Sequence, residues 1–366
     1  MELKKGLDSP EKVVGRIEEL MGDVEYEEGK VAVCCNDDIV QNPSGYSSTR
    51  ELIPMLDEYH DTSVVLVGDY MEDGFVGKTY RPIEKNGEVR FVEYETEPIE
   101  LECDVLFVRG MNYHASPSEE EFKKQMKMLG DFDVGRYINT PEAQSFLESK
   151  DNYSENLENV PIPETYNFED IYDLMEVLEE EGNLVGKPPI GGQGTGVLKL
   201  DKDQANEKYL QECFEGSIDD FTFQKLVKQE EKERERRFVF LNDEYDVYDN
   251  QIDGDYEIVA SREIINRDRP WDPDGKVLDK IRRLHEPEED EIEIVNTVIE
   301  QTPPGTIFGC VDMLVDDDDN KFVIEMNGSG TGLFGDSKEA GTKEWGERYY
   351  NLTPHMVNYV CRLVGD

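Results

Sequence analysis

Two short runs near the C-terminal end hold the residues best placed to do chemistry. In Val311-Asp312-Met313-Leu314 and Val323-Ile324-Glu325-Met326-Asn327, carboxylates interrupt stretches that are otherwise apolar. Asp316-Asp317-Asp318-Asp319-Asn320 lies between them and reads as a solvated hairpin turn. Side chains alternate along a strand, so Glu325 and Asn327 share one face. A residue directly opposite on the paired strand stands ~5 Å away, which brings Asp312 into the set. Two carboxylates and an amide oxygen inside apolar strands are costly unless a cation joins them. Hard oxygen donors with open positions suit Mg²⁺ carrying phosphates. The competing reading is general acidity, but surface decoration belongs in turns and not inside apolar strands.

A second group is Lys187 followed by Ile190-Gly191-Gly192-Gln193-Gly194-Thr195-Gly196. A glycine loop lets backbone N–H groups approach phosphate oxygens, and a nearby Lys adds a point charge. The loop lacks the closing Gly-Lys-Ser/Thr of a P-loop. It also joins strand to strand, unlike a dinucleotide turn. What remains is a flap over phosphates, or a plain hairpin. A third group is the scattered cations Lys150, Arg237, Arg262, Arg267 and Arg269. Each could equally pair with one of the abundant acids. Arg109 ends an apolar run at 103–108, with Tyr113 four residues on. Ligands of open α/β sheets sit beyond the carboxyl ends of strands, and the planar Arg fork grips carboxylates. An ordinary salt bridge is the alternative there. The four His and six Cys form no His-x-x-x-His or Cys-x-x-Cys spacing, so neither a zinc site nor a Ser-His-Asp triad is supported.

The elements needed to position these groups are legible as periodicity. Apolar runs predict buried strands at 30–35, 63–67 and 103–108. Helices are expected at 9–21, 49–59 and 116–129, and Asn86-Gly87 reads as a hairpin turn. Strands alternating with helices predict an open α/β sheet up to about residue 138. Beyond it, helices at 169–181 and 204–214 flank strands at 184–187 and 197–200. A strand-rich region follows at 221–227, 237–241, 258–264, 306–315 and 321–326, with helices at 289–301 and 345–364. The expected organisation is an N-terminal α/β domain (1–138), a small lid (139–222) and a C-terminal antiparallel-sheet domain (223–366).

The 366 residues include 85 Asp and Glu against 38 Lys and Arg, a formal charge of −47. Such a chain repels polyanions, which excludes sequence-independent nucleic-acid binding, and it has no basic patch for an anionic membrane. No apolar run reaches the ~18 residues of a membrane span. The N-terminus has no apolar core of a secretory signal, and the isolated Cys fit a reducing compartment, so a cytoplasmic location is expected. The acid is spread over the whole chain, a pattern that fits a folded protein adapted to high salt, from a haloarchaeon or its virus, with an acidic mesophilic protein as the alternative.

In this order and spacing, the residues resemble the ATP-grasp superfamily, most closely its glutathione-synthetase and RimK-like ligases. The resemblance spans about residues 103 to 335. Asn139-Thr140-Pro141-Glu142-Ala143 with Lys150 is similar to the family's N-x-P-x-A … K segment, and Pro161-x-Pro163-x-Thr165 to its P-x-T strand. Val185-Gly186-Lys187-Pro188 and the loop behind it resemble the flap. Phe223-Gln224-Lys225-Leu226-Val227 resembles the hinge that holds adenine by backbone groups. Glu235-Arg236-Arg237-Phe238-Val239 resembles D-x-R-x-x-V, and Asp312, Glu325 and Asn327 match D-x-L … E-x-N, the most specific of the set.

The resemblance implies an ATP-dependent carboxylate–amine ligase acting through an acyl phosphate. Lys150, Lys187 and Arg237 would contact phosphates, with Gly192, Gln193 and Gly194 above them, and Gln224, Lys225, Leu226 and Val227 would line the adenine hinge. Glu235 would take the ribose. Asp312, Glu325 and Asn327 would hold two Mg²⁺ ions, with Mn²⁺ as a substitute. Arg262 and Arg267 would serve as catalytic cations, and Arg109 and Tyr113 would meet the substrate. Small-molecule or peptide carboxylates and amines are the implied partners, and a homo-oligomer stays open. The chain departs from the pattern at Lys225, where an acid is common, at Glu235 in place of Asp, and at Arg267-Asp268-Arg269-Pro270-Trp271 in place of R-x-N … G-G. An ATP-grasp kinase and a non-catalytic nucleotide-binding protein are the alternatives.

Overall fold

The structure, a computed structural model, describes residues 28–35, 48–66, 70–71, 74–75, 78–85, 88–95, 102–109, 119–130, 132–150, 156–188, 196–203, 205–214, 218–229, 234–242, 256–265, 281–328 and 353–365. The expected helices at 9–21 and before 353 lie outside these residues.

The N-terminal part contains β1 (Lys30–Cys35), α1 (Ser48–Asp57), β2 (Asp61–Leu66), the short pair β3 (Tyr70–Met71) and β4 (Gly74–Phe75), β5 (Lys78–Lys85), β6 (Glu88–Glu95), β7 (Glu102–Val108), α2 (Glu119–Leu129) and β8 (Asp133–Ile138). The middle part contains α3 (Pro141–Glu148), β9 (Thr165–Tyr166), α4 (Ile171–Glu181), β10 (Asn183–Lys187), β11 (Leu198–Asp201), α5 (Glu207–Phe214) and β12 (Thr222–Lys225). The C-terminal part contains β13 (Arg234–Asn242), β14 (Tyr256–Ile265), β15 (Ile281–Leu284), α6 (Glu289–Glu300), β16 (Phe308–Val315), β17 (Lys321–Asn327) and α7 (Thr353–Gly365).

Three main sheets result. The first has the order β6-β5-β2-β1-β7-β8. Its centre is parallel, with β1 between β2 and β7 and β8 beside β7. β5 and β6, paired antiparallel on either side of Asn86-Gly87, which lie outside the described residues, add an antiparallel edge. A sheet covered on both faces needs apolar side chains on both, hence the unbroken runs. Val31, Val33 and Cys35 pack with Leu52, Ile53 and Leu56 of α1 and with Met356, Val357 and Val360 of α7. Ala32 and Cys34 turn the other way, towards Phe122 and Met126 of α2. The C-terminal helix therefore closes the first sheet.

The second sheet, β11-β10-β12-β9, is antiparallel. Leu174 and Leu178 of α4 and Leu210 and Phe214 of α5 cover its Leu184, Leu200 and Phe223. β12 belongs to this sheet, so its strand runs across the expected 222/223 division. The third sheet, β15-β14-β13-β16-β17, is antiparallel throughout. Phe146 and Leu147 of α3 and Val295, Val298 and Ile299 of α6 pack on Phe238, Phe240, Val311, Met313, Val323 and Met326. The intervening residues of β13 and β16 face the opposite way. Val239, Leu241, Phe308 and Cys310 join the core of the N-terminal sheet, while Arg237 and Asp312 lie further along the same face.

On the helix-covered face, Arg236 is buried against Glu263 and Glu291, and Glu291 also bonds His285 at 2.7 Å. The turn behaves as read, with Asp316 Oδ1 accepting from the Asp318 and Asn320 N–H groups. All six cysteines are free and five are buried. Among the described residues, no helix is long and apolar enough to cross a membrane.

Candidate active site

The strand register aligns the key residues in one row. Arg237 of β13 stands opposite Arg262 of β14 on one side and Asp312 of β16 on the other, and Asp312 stands opposite Glu325 of β17. Directly opposed residues share a face. Arg237 donates from Nε to Asp312 Oδ1 at 2.6 Å and from Nη2 to Oδ2 at 2.5 Å. Asp312 is 1% exposed and also accepts from Asn327 Nδ2 at 3.3 Å. Burial works against the charge of Arg237, but attraction to Asp312 more than offsets it and holds the guanidinium well above its ordinary value. Glu235 lies two residues before Arg237 and is half-buried.

The register shifts between Asp312 and Met313, since Asp312 faces Glu325 while Met313 faces Val323. Ile324 is the extra residue of this bulge, and such irregularities re-aim groups beside sites. Its carbonyl oxygen accepts from Lys187 Nζ at 3.2 Å. Lys187 thus reaches from the second sheet to the third. Its Nζ also donates to Gln224 Oε1 at 2.6 Å, and Gln224 Nε2 donates to Thr165 Oγ1 at 3.2 Å. Lys150 is buried, with Nζ 3.4 Å from the Pro188 carbonyl.

These groups converge on Glu325. Burial pushes its carboxyl up to about 7; Asp312 adds to the rise, while Lys150, Arg237 and Lys187 oppose it. A carboxyl so reluctant to ionise beside a second carboxylate is a seat for further positive charge. Two carboxylates and an amide oxygen are the hard donors that Mg²⁺ takes. Asp312, Glu325 and Asn327 therefore could hold such an ion, with Asp312 shared between it and Arg237.

At the hinge, Lys225 N–H donates to the Glu164 carbonyl at 2.8 Å and Leu226 N–H to the Asn183 carbonyl at 3.2 Å. Lys225 follows Gln224 and so turns to the other face, where Nζ pairs with Glu181 and lies 4.0 Å from Glu164. Its side chain thereby braces the second sheet from outside. Leu226 and Val227 are half-buried on the connection to the third sheet. Gln229, which sequence reasoning missed, fastens that connection by donating to the Arg234 and Val315 carbonyls at 2.8 and 2.9 Å. A buried Gln directly behind a hinge is its only sequence signal.

Arg109 is 3% exposed, with its guanidinium over the rings of Phe107 and Phe308 at 5.7 and 5.9 Å. Burial draws it down to about 10, opposed by Cys310, Cys35 and Glu148. Gly192, Gln193, Gly194, Tyr113 and Arg267 lie outside the described residues, as does the side chain of Arg262.

Solved structures carry the same architecture. D-cycloserine synthetase DcsG matches at a TM-score of 0.59 and 13% identity, covering 92% of this chain and 100% of its own. D-alanyl-alanine synthetase A from Vibrio cholerae matches at 0.56 and 12%, covering 93% and 100%. The ATP-grasp ligase PsnB, complexed with a phosphomimetic variant of its minimal precursor, Mg and ADP, matches at 0.52 and 14%, covering 93% and 99%. No family model matches the chain, and no curated protein matches it in sequence. These likenesses show the fold: the chain has the ATP-grasp architecture, with an open α/β sheet followed by a smaller and a larger antiparallel sheet.

Proposed function

We propose that this protein is an ATP-dependent carboxylate–amine ligase. The observation that carries the reading is the row Arg237–Asp312–Glu325, faced by Lys150 and Lys187 from the lid side. Five charged groups from five segments meet there, and a polyphosphate with its cation would complete their charge balance.

In this reading ATP lies between the second and third sheets, with its adenine along 224–227. Lys150 and Lys187 hold phosphate oxygens, and Glu235 takes the ribose. Asp312, Glu325 and Asn327 would hold Mg²⁺, whose charge would offset that of the transferred phosphoryl group. The substrate carboxylate attacks the γ-phosphorus and ADP leaves. The amine then attacks the acyl carbon and expels phosphate, leaving an amide. No protein nucleophile is needed. The lid keeps water from the acyl phosphate, which would otherwise hydrolyse. Arg262, beside Arg237 in the register, is the assigned catalytic cation. The burial of Arg109 favours a part in the wall behind the site over a direct grip on a carboxylate. We also read the −47 charge as adaptation to molar salt.

The test is a screen of amino acids and short acidic peptides for acceptor-dependent ADP release in Mg²⁺, with Glu325→Gln as the control. That variant removes charge at nearly constant volume, so turnover vanishes while the fold persists. An amide formed in step with free phosphate supports the ligase. A phosphorylated product without phosphate release makes the protein a kinase. Full activity in Glu325→Gln removes the metal site from the argument.

A further inference from the structure

The helix α3 stands directly behind the strands that carry the metal-holding residues, and it is fastened to both. It follows Asn139, whose φ of 51° lies in the left-handed region that Asn tolerates. Asn139 Oδ1 accepts from the N–H groups of Ile307 and Phe308, both at 2.9 Å, and its Nδ2 donates to the Phe308 carbonyl at 2.7 Å. One end of the helix is thereby tied to the start of β16. Asn139 Nδ2 also contacts Gln144 Oε1 at 3.2 Å, and Gln144 Nε2 donates to Glu148 Oε1 at 3.0 Å.

The other end is tied to β17. Glu148 Oε1 accepts from the backbone N–H of Gly328 at 3.0 Å, and Gly328 directly follows Asn327. The approach is close enough that a side chain at 328 would displace the Gln144 amide. A Cβ there would lie 2.6 Å from Gln144 Oε1. Behind Glu148 lies the buried Arg109, which interacts electrostatically with that carboxylate. Glu148 is thus a charged acceptor on a rigid helix, bonded to the peptide that leaves the metal-holding strand.

Resting on the nucleotide–metal reading above, we propose that Glu148 is a positioning residue of the metal site: through the Gly328 N–H it fixes the end of β17, and with it the place at which Asn327 meets Asp312. A hydrogen bond to a charged acceptor is stronger than a neutral one. Partners of this kind commonly change metal affinity by ~10–100-fold when removed.

The experiment uses the full chain in molar KCl. Mn²⁺ is titrated by electron paramagnetic resonance with ADP present, and ADP alone is titrated calorimetrically in EDTA. Wild type is expected to bind Mn²⁺, and Asp312→Asn to lose it. Glu148→Ala should weaken Mn²⁺ by ~10–100-fold, with ADP affinity in EDTA within about twofold of wild type. Glu148→Gln keeps an oxygen acceptor for the Gly328 N–H, so its Mn²⁺ affinity should stay within about threefold of wild type. If Glu148→Ala fails to fold, Glu148→Leu, which keeps bulk but offers no acceptor, takes its place with the same expected loss. Mn²⁺ affinity unchanged in Glu148→Ala overturns the proposal. So does a loss in Glu148→Gln as large as that in Glu148→Ala, or equal losses of Mn²⁺ and of ADP in EDTA. A wild type that binds no Mn²⁺ overturns the nucleotide–metal reading itself, and this inference with it.

Discussion

Replacing Arg237 by Met tests the centre of the site by removing its charge while keeping most of its bulk. In wild type the guanidinium makes two short bonds to Asp312, which is 1% exposed. The variant leaves Asp312 buried beside Glu325, with only Lys150 and Lys187 to balance two carboxylates. Removing one partner of a buried pair costs ~3–5 kcal/mol, because the other charge stays uncompensated. At ~2–4 °C per kcal/mol for a cooperative unit of ~150–250 residues, the melting temperature should fall by ~6–20 °C. The assay is thermal unfolding in EDTA and again with MgCl₂. Mg²⁺ supplies the missing charge, so it should raise the variant's melting temperature by more than the wild type's. Arg237→Lys should rescue only in part, since a point charge cannot make the paired bonds of a planar fork. A variant that melts within ~2 °C of wild type in EDTA would refute the reasoning, since ~3 kcal/mol could not be missing.

Two further expectations follow from charge. With a Debye length of ~10 Å at 0.1 M salt and ~3 Å at 1 M, self-repulsion of the −47 chain should relax in concentrated KCl; a melting temperature independent of KCl would mark an ordinary acidic protein. The second concerns His60, which is buried where its Nδ1 accepts from the Gly29 N–H at 3.4 Å and its Nε2 lies 3.2 Å from Cys361 Sγ. Burial lowers its pKa below the ordinary 6.5, with Asp104 opposing. The unfolded chain therefore takes up the proton first as pH falls through 6.5, and stability declines below that pH. His60→Gln should show a shallower decline between pH 7.5 and 5.5, and parallel curves for variant and wild type would exclude His60 as a contributor.

The sequence by itself determined the elements and much of the site. Apolar runs at 30–35 and 103–108 are too short for typical helices and match strands covered on both faces. Asp312, Glu325 and Asn327 could be grouped from strand alternation and one turn, since their relation is local. Charge arithmetic alone set the expectation against sequence-independent nucleic-acid binding. Tertiary structure decided everything that depends on contacts between distant segments. Only the register places Arg237 rather than Arg236 in the row with Asp312, sending its neighbour to the buried cluster on the other face. Only the bulge at Ile324 frees a carbonyl for Lys187, 137 positions earlier in the chain. The part played by Glu148 has no signal in sequence, because an acid at the end of a helix is commonplace until a distant backbone N–H is brought against it. Periodicity encodes which face of an element is buried; the docking of three sheets encodes what each face meets.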